Sequence, residues 1–480
     1  MPGGQILING DWRAPASGAA LPVFNPSDGA EFAKIARGSA EDIDGAVTAA
    51  RAALEGGAWS KVTAVERGRL LSKMAQKVAD HAEELAVLEA KDTGKPISQA
   101  RADANALARY FEFYGGAADK IHGETIPYLN GYTVFTLREP HGVCGQIIPW
   151  NYPMQIFGRT ACGALTMGNA VVMKPAEEAC LSVLRVAELM LEVGFPPGAI
   201  NIVPGLGAEA GAALADHPGI DHLSFTGSRQ VGALVQAASA KYNRPCTMEL
   251  GGKSPQVVFA DADMDAALPF ITRAIIQNAG QTCSAGSRLL VEDKVYDTFV
   301  GRVAEKFKAL RAGPWDRDLD VGPLISKKQK ERVDGFVEKA TAAGVKLLAA
   351  GETAANAPAG GYYVAPQVYG DVPVDHLLAQ EEVFGPVLAA IRFRDEADAI
   401  RIANATPYGL VAGVWTRDGG KQMRLAKAIK AGQVFINNYG AGGGIELPFG
   451  GVKGSGFGRE KGFTALHDFS TLKTVAIQHG

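Results

Sequence analysis

The sequence is poor in features that would place it in several large protein classes. Five cysteines stand in 480 residues, at Cys144, Cys162, Cys180, Cys246 and Cys283. Their number is odd, their spacing wide, and no CxxC pair occurs. That pattern argues against a disulfide framework and against a zinc site, so no metal is expected. No apolar run reaches the ~18 residues of a membrane span. The opening MPGGQILINGDWR lacks a basic segment followed by an apolar one, so no secretory signal is read there. A reducing, cytoplasmic setting is the expectation. Charge of one sign is also lacking: 48 basic against 51 acidic residues give a net −3. Nothing in that balance favours nucleic acid or an anionic membrane as partner. Low-complexity linkers and internal repeats are absent as well.

What is present is an ordinary globular balance, 47% hydrophobic and 21% charged, with 58 glycines for tight turns and close backbone approaches. The length predicts two or three domains at roughly 150 residues each. Residues 1 to 40 read as short strands and turns. SAEDIDGAVTAARAALE then opens a helix, with Ser39 as N-cap and Asp42 three residues on. AVERGRLLSKMAQKVADHAEELAVLEAKDTGKP reads as two amphipathic helices ended by Gly94 and Pro96. From about 142 to 260 short apolar runs alternate with helical stretches. That alternation predicts a parallel, doubly wound α/β sheet. A second alternation runs from 265 to 450, and the final FSTLKTVAIQHG is strand-like.

Several stretches carry chemistry. QNAGQTCSAG sets Cys283 among small residues instead of the apolar neighbours of a structural thiol. PGLGAEAGAAL follows a strand with Gly205, Gly207 and Gly211, one residue longer than GxGxxG. VVMKPAEEA puts Lys174 at the end of a strand and Glu177 three residues on, where an acid could bind ribose hydroxyls or simply pair with the lysine. SFTGSRQVG places Ser228 at a helix N-terminus, either as a plain cap or beside a phosphate. TMELGGKSP ends an apolar stretch on Glu249, a general base if dry or a surface acid if not. PWNYP fixes Asn151 between prolines, an oxyanion donor or a turn residue.

Taken in order, INGDW, KDTGKP, PWNYP, MKPAEE, FTGS, MELGGKSP, GQTC, EEVFGP and PFGGVKGSGFGRE resemble the NAD(P)-dependent aldehyde dehydrogenase superfamily over essentially the whole chain. The resemblance implies two doubly wound Rossmann-like domains plus a small β element. It assigns 1–121 and 141–251 to an NAD-binding domain, 252–466 to a catalytic domain, and 122–140 with 467–480 to oligomerisation as a homodimer or homotetramer. It implies Cys283 as nucleophile, Glu249 as the base that activates water, and Asn151 with the Cys283 N–H as oxyanion donors. Glu249 marks the hydrolytic, non-acylating type. The cofactor contacts it implies are Ile147, Ile148, Pro149, Trp150, Lys174, Ala176 and Glu177, then Gly207, Gly211, Phe225, Thr226, Gly227, Ser228 and Val231, then Leu250, Gly251, Gln329, Glu382 and Phe384. Glu177 favours NAD over NADP on charge grounds.

Substrate contacts implied in the same way are Tyr152, Arg159, Gln277, Thr282 and Phe449. Ala106, Arg159, Gln277 and Gly443 stand where relatives often carry Met, Trp or Phe, which implies a wider, more polar tunnel. Arg159 either binds a substrate carboxylate, as in succinate-semialdehyde dehydrogenases, or faces a structural acid; the second arginine of those enzymes is replaced by Gln277. A cation there argues against betaine aldehyde. The substrate expected is a small-molecule aldehyde, bulky and aromatic or bearing a polar or carboxylate tail. A semialdehyde dehydrogenase, a non-redox thiol esterase and a structural protein on the same fold remain the alternatives.

Overall fold

The computed structural model describes residues 4–440 and 444–480. In its first half, strands Ile200–Ile202, Ala170–Lys174, Val143–Ile147, His222–Thr226 and Cys246–Glu249 lie side by side in that order, all parallel. Val143–Ile147, Ala170–Lys174 and His222–Thr226 are buried at every residue, as strands covered by helices on both faces must be. The chain steps outward from Val143–Ile147 to Ile200–Ile202, then returns to the other side at His222–Thr226. The order therefore reverses between Val143–Ile147 and His222–Thr226. Doubly wound sheets open a ligand crevice at the carboxyl ends of strands at such a switch point.

A second sheet orders Lys346–Ala350, Gln367–Gly370, Val387–Phe393, Arg288–Glu292, Pro255–Val258, Val411–Trp415 and Gln433–Ile436. Only the edge strand Lys346–Ala350 runs antiparallel. The C-terminal strand Ser470–Gln478 pairs antiparallel with Tyr132–Pro140, residue against residue from Ser470 with Pro140 to Gln478 with Tyr132. This is the α/β architecture that the alternating pattern predicts. No helix among the described residues is long and apolar enough to cross a membrane.

Helix ends follow local chemistry. Ser39 and Asp42 close a capping box on Ala40–Leu54, and Thr63 with Glu66 does the same for Ala64–Asp80. Gly94, left-handed at φ 81°, ends Ala82–Thr93. The turn through Lys95 and Pro96 then starts Ile97–Ala117, a helix of 21 residues that the sequence reading left without an assignment. Gly207–Gly211 forms one wide π turn ahead of Ala212–Ala215. A π turn holds one extra residue, which accounts for the glycine spacing being one longer than the usual fingerprint.

Candidate active site

A cavity of about 1570 Å³ is lined by residues that follow strands of both large sheets. Pockets for one small molecule typically measure ~300–1000 Å³. The space therefore suits two ligands side by side.

Cys283 reaches it through a reversal of the chain. Helix Met264–Ile276 ends, and Asn278, Ala279 and Gly280 follow with φ of 48°, 54° and 74°. Each non-glycine residue in this left-handed region costs roughly 1–2 kcal/mol. A Cβ at Gly280 would also run into the backbone of Gly385 and Pro386. Polar bonds hold the reversal. Asn278 Nδ2 donates to the Asn151 carbonyl at 2.8 Å, and the Asn278 N–H donates to Gln99 Oε1 at 2.9 Å. The buried Gln281 amide donates to the Asn278 carbonyl at 3.1 Å and accepts from the Ile325 N–H at 2.9 Å. Beyond this turn Cys283 packs with Leu410, Val411, Phe449, Phe435 and Tyr439. Its surface is half-buried, but enough protein surrounds the sulfur that burial pushes the thiol up to about 12. Arg159 opposes that shift, and Glu249 and Glu382 add to it. A resting thiol at neutral pH needs a base.

Glu249 is a buried carboxylate on the same cavity. It ends the strand Cys246–Glu249 and is 2% exposed. Neither carboxylate oxygen meets a hydrogen-bond donor among the described residues. Burial and the neighbouring Glu460 push its pKa well above the carboxylate range, against the pull of Arg159 and Arg459. Asn151 is buried and lines the same cavity; its Nδ2 donates to the Gln281 carbonyl at 3.0 Å, two residues before Cys283. A side-chain amide has a second hydrogen to give.

The Asn151 carbonyl is held from the other side by a group that sequence reasoning missed. Lys95 Nζ donates to it at 3.1 Å, to Glu89 at 3.2 Å and to Asp103 at 2.5 Å. The lysine also stands 4.3 Å over the Tyr152 ring. KDTGKP signalled it only as a lysine in a turn between helices; the acids that receive it come from both flanking helices.

Arg159 has a protein acid as partner. Its Nε pairs with Glu460, Nη2 donates to Thr226 Oγ1 at 2.9 Å, and the guanidinium lies 5.1 Å over the Phe449 ring. Glu460 also accepts from Ser224 at 2.7 Å. Tyr152 and Thr282 share a hydroxyl–hydroxyl bond of 2.9 Å. Gln277, Phe449 and Ala106 line the cavity. Gly443 lies outside the described residues.

The expected cofactor residues fall into two groups. Pro149, Trp150, Thr226, Gly227, Ser228, Gly251, Gln329, Glu382 and Phe384 line the cavity. Glu382 accepts the Gly252 N–H at 2.8 Å, and burial raises it to about 7. The Trp150 and Phe384 rings meet edge to face at 5.5 Å, and Gln329 holds the Phe384 carbonyl at 2.8 Å. Ser228 caps Arg229–Lys241 through the Val231 N–H. The second group lies outside the cavity. Lys174 Nζ pairs with Glu177 at 2.6 Å, and Glu177 accepts the Gly207 N–H at 3.1 Å. Burial alone would raise Glu177, but Lys174 outweighs it and the net shift is downward. Ile147, Ile148, Ala176, Phe225 and Leu250, at or next to strand ends, and Gly211, in the π turn, are not part of the cavity wall. A carboxylate beside bare glycine backbone, with a capped helix N-terminus across the switch point, is a donor and acceptor set that fits a dinucleotide.

Comparison with known proteins identifies the family and the fold. A family model described as "Aldehyde dehydrogenase family" matches residues 12–475. Human "Retinal dehydrogenase 2" is 44% identical over 478 residues, covering 99% of this chain and 92% of that protein. A crystal structure from Burkholderia cenocepacia is 63% identical, with a TM-score of 0.98, over 99% of this chain and 100% of that one. The NAD+ complex of a Bacillus cereus aldehyde dehydrogenase is 40% identical, with a TM-score of 0.96, over 99% and 96% of the two chains.

Proposed function

Since the chain belongs to the aldehyde dehydrogenase family, we propose that it oxidises an aldehyde to its carboxylic acid with NAD through a covalent adduct on Cys283. The observation that carries this reading is a thiol and a buried carboxylate without a hydrogen-bond donor among the described residues, Cys283 and Glu249, facing one cavity with a fixed Asn151 amide. The Cys283 proton passes to Glu249 and on to solvent, and the sulfur attacks the carbonyl carbon. The free Asn151 N–H and the Cys283 backbone N–H take the oxyanion of the thiohemiacetal. Glu382, Phe384, Lys174 and Glu177 would hold NAD, which would supply the acceptor for the hydride; loss of that hydride from the adduct on Cys283 would leave a thioester there. Glu249 then draws a proton from water, the hydroxide attacks the thioester, and the proton returns to the leaving sulfur as the acid departs. Glu249 suits this step because a base with a raised pKa accepts protons better.

Glu177 favours NAD, because its charge would repel a 2′-phosphate. The size of the cavity, with Gln277 and Ala106 where bulk would narrow it, supports a bulky aromatic or polar-tailed aldehyde. The exposed Leu137, Leu472 and Ile477 on the sheet of Tyr132–Pro140 and Ser470–Gln478 support a neighbouring subunit there, in a homodimer or homotetramer.

The test is NADH formation at 340 nm over aliphatic, aromatic and semialdehyde substrates, with NAD and NADP in parallel. Turnover with NAD that falls at least ~10³-fold in Cys283→Ala is the expected outcome. No turnover with either cofactor, or turnover that survives Cys283→Ala, overturns the reading.

A further inference from the structure

The loop that follows Glu249 holds a buried charge without a hydrogen bond. Lys253 is 2% exposed, and its Nζ meets no hydrogen-bond acceptor among the described residues. A buried ammonium is costly unless something nearby compensates it.

The backbone fixes where this lysine stands. Ser455 Oγ donates to the Gly251 carbonyl at 2.7 Å, and Arg288 Nε donates to the Lys253 carbonyl at 2.9 Å. Between these two bonds the loop closes on Glu382, which lines the cavity. The Gly252 N–H donates to Glu382 Oε1 at 2.8 Å, and a Cβ at Gly251 would run into the same carboxylate. Lys253 is the next residue. The charges that act on its ammonium are Arg288, which repels it, and Glu382 and Glu381, which attract it. Those that act on the Glu382 carboxylate are Lys253, Arg332 from the helix Lys327–Ala342 and Arg229 from the helix Arg229–Lys241, and Lys253 acts most strongly of the three. Arg332 also donates from Nη2 to the Glu382 carbonyl at 2.7 Å, and Arg229 lies 5.1 Å over the Tyr408 ring. Burial pushes the Glu382 carboxyl up to about 7 and the Lys253 ammonium down to about 7. Each group therefore leans on the charge of the other.

We propose that Lys253 is a positioning residue for the cofactor: its ammonium keeps Glu382 ionised, so that the carboxylate can accept hydrogen bonds from the dinucleotide. The proposal rests on the reading that Glu382 holds NAD, and it names the group that sets the charge of that acid. A direct ion pair would turn Glu382 away from the cavity. An ammonium with no bond of its own acts through space and leaves the second carboxylate oxygen to a ligand.

The experiment reads NAD binding without turnover, by quenching of protein fluorescence from about pH 6 to about pH 9, a range that brackets the Glu382 carboxyl. In wild type the Kd for NAD rises as pH falls through about 7, where Glu382 takes up a proton. Lys253→Met removes a cation that holds this carboxyl down, so the rise begins at higher pH. A displacement of roughly one to two pH units raises Kd at neutral pH by roughly 5-fold to 50-fold, and the two enzymes converge in alkali. Lys253→Gln, also uncharged, shifts the profile in the same direction. Glu382→Gln has no carboxyl to titrate; its profile is level, and adding Lys253→Met to it changes Kd little. The unfolding midpoint of Lys253→Met does not fall at neutral pH, because a buried charge is removed and no hydrogen bond is lost. A profile that both Lys253 variants leave in place overturns the proposal while Glu382 keeps its role. So does a loss of affinity that is equal at every pH or that persists in Glu382→Gln, which would make the lysine a strut of the loop. A Glu382→Gln enzyme that binds NAD as wild type does, with the same pH profile, overturns the reading of Glu382 and the proposal with it.

Discussion

Two buried charge clusters flank the Cys283 loop, and they are built to opposite rules. Around Lys95 every charged atom is matched. Its three hydrogens go to Glu89, Asp103 and the Asn151 carbonyl; the remaining oxygens of the acids accept from Ser182 at 2.6 Å and Gln155 at 2.6 Å. Burial opposes the Lys95 charge, but Asp103 and Glu89 outweigh it and keep the ammonium above its usual range. Around Glu249 the matching stops short. Arg159 satisfies Glu460, and both oxygens of Glu249 are left without a donor among the described residues. A fully satisfied network fixes geometry, and an unsatisfied buried acid is costly unless it does something. The first cluster holds Asn151; the second leaves a carboxylate facing the cavity.

The largest effect that separates them is expected at Glu249. Glu249→Gln keeps the shape and removes the base, so kcat falls ~10²-fold to 10⁴-fold. Stability moves the other way. The folded pKa of Glu249 lies above its unfolded value, so its burial penalty is present at neutral pH and disappears as pH falls below about 4.3, where both states are protonated. Glu249→Gln is therefore more stable than wild type at neutral pH, by about 1–3 kcal/mol, and the gain vanishes in acid. Thermal midpoints across pH, measured beside kcat, check both parts. A variant that lost activity and stability together would place Glu249 with the satisfied cluster.

Lys95→Met is the converse. Removing one member of a buried network leaves Glu89 and Asp103 as uncompensated acids, at a cost of about 3–5 kcal/mol. The Asn151 carbonyl also loses an anchor, so kcat drops while KM for NAD holds. Unfolding midpoints at a fixed scan rate and steady-state kinetics measure the two. A neutral or stabilising outcome would show that the network is dispensable and that Asn278 alone positions Asn151.

What the sequence revealed and what it hid follow the same division. The strands, the helix starts and the glycine turn are set by local patterns: buried apolar runs, helix caps, and Gly207 to Gly211 with one extra residue. Cys283 stood out because small residues surround it in place of apolar ones, while Glu249 and Asn151, each open to a plain local reading, took their roles from the family resemblance. The Lys95 cluster gave no such signal, because its members lie in the regular helices Ala82–Thr93 and Ile97–Ala117 and in the turn between them. Pairing at that distance is decided by packing. The same reason let Arg159 stand alone in the sequence: Glu460, about 300 positions away, closes PFGGVKGSGFGRE, a block read only as part of the family resemblance.

The smallest effect isolates burial from pairing. Arg101 and Glu83 join the same two helices that Lys95 joins, with two parallel bonds of 2.8 and 2.7 Å. Their geometry is as good as that of the buried cluster, but their side chains are 50% and 63% exposed. Water and salt compete for both charges, and neither is stranded when the other is removed. Arg101→Ala is expected to leave the unfolding midpoint and kcat close to wild type, with any residual loss fading as salt is added. Measured beside Lys95→Met under one protocol, it holds the helix pair constant and varies only the surroundings of the charge. Equal losses would mean that any clamp between these helices matters wherever it lies; a loss confined to Lys95 assigns the effect to the buried acids that its removal leaves behind.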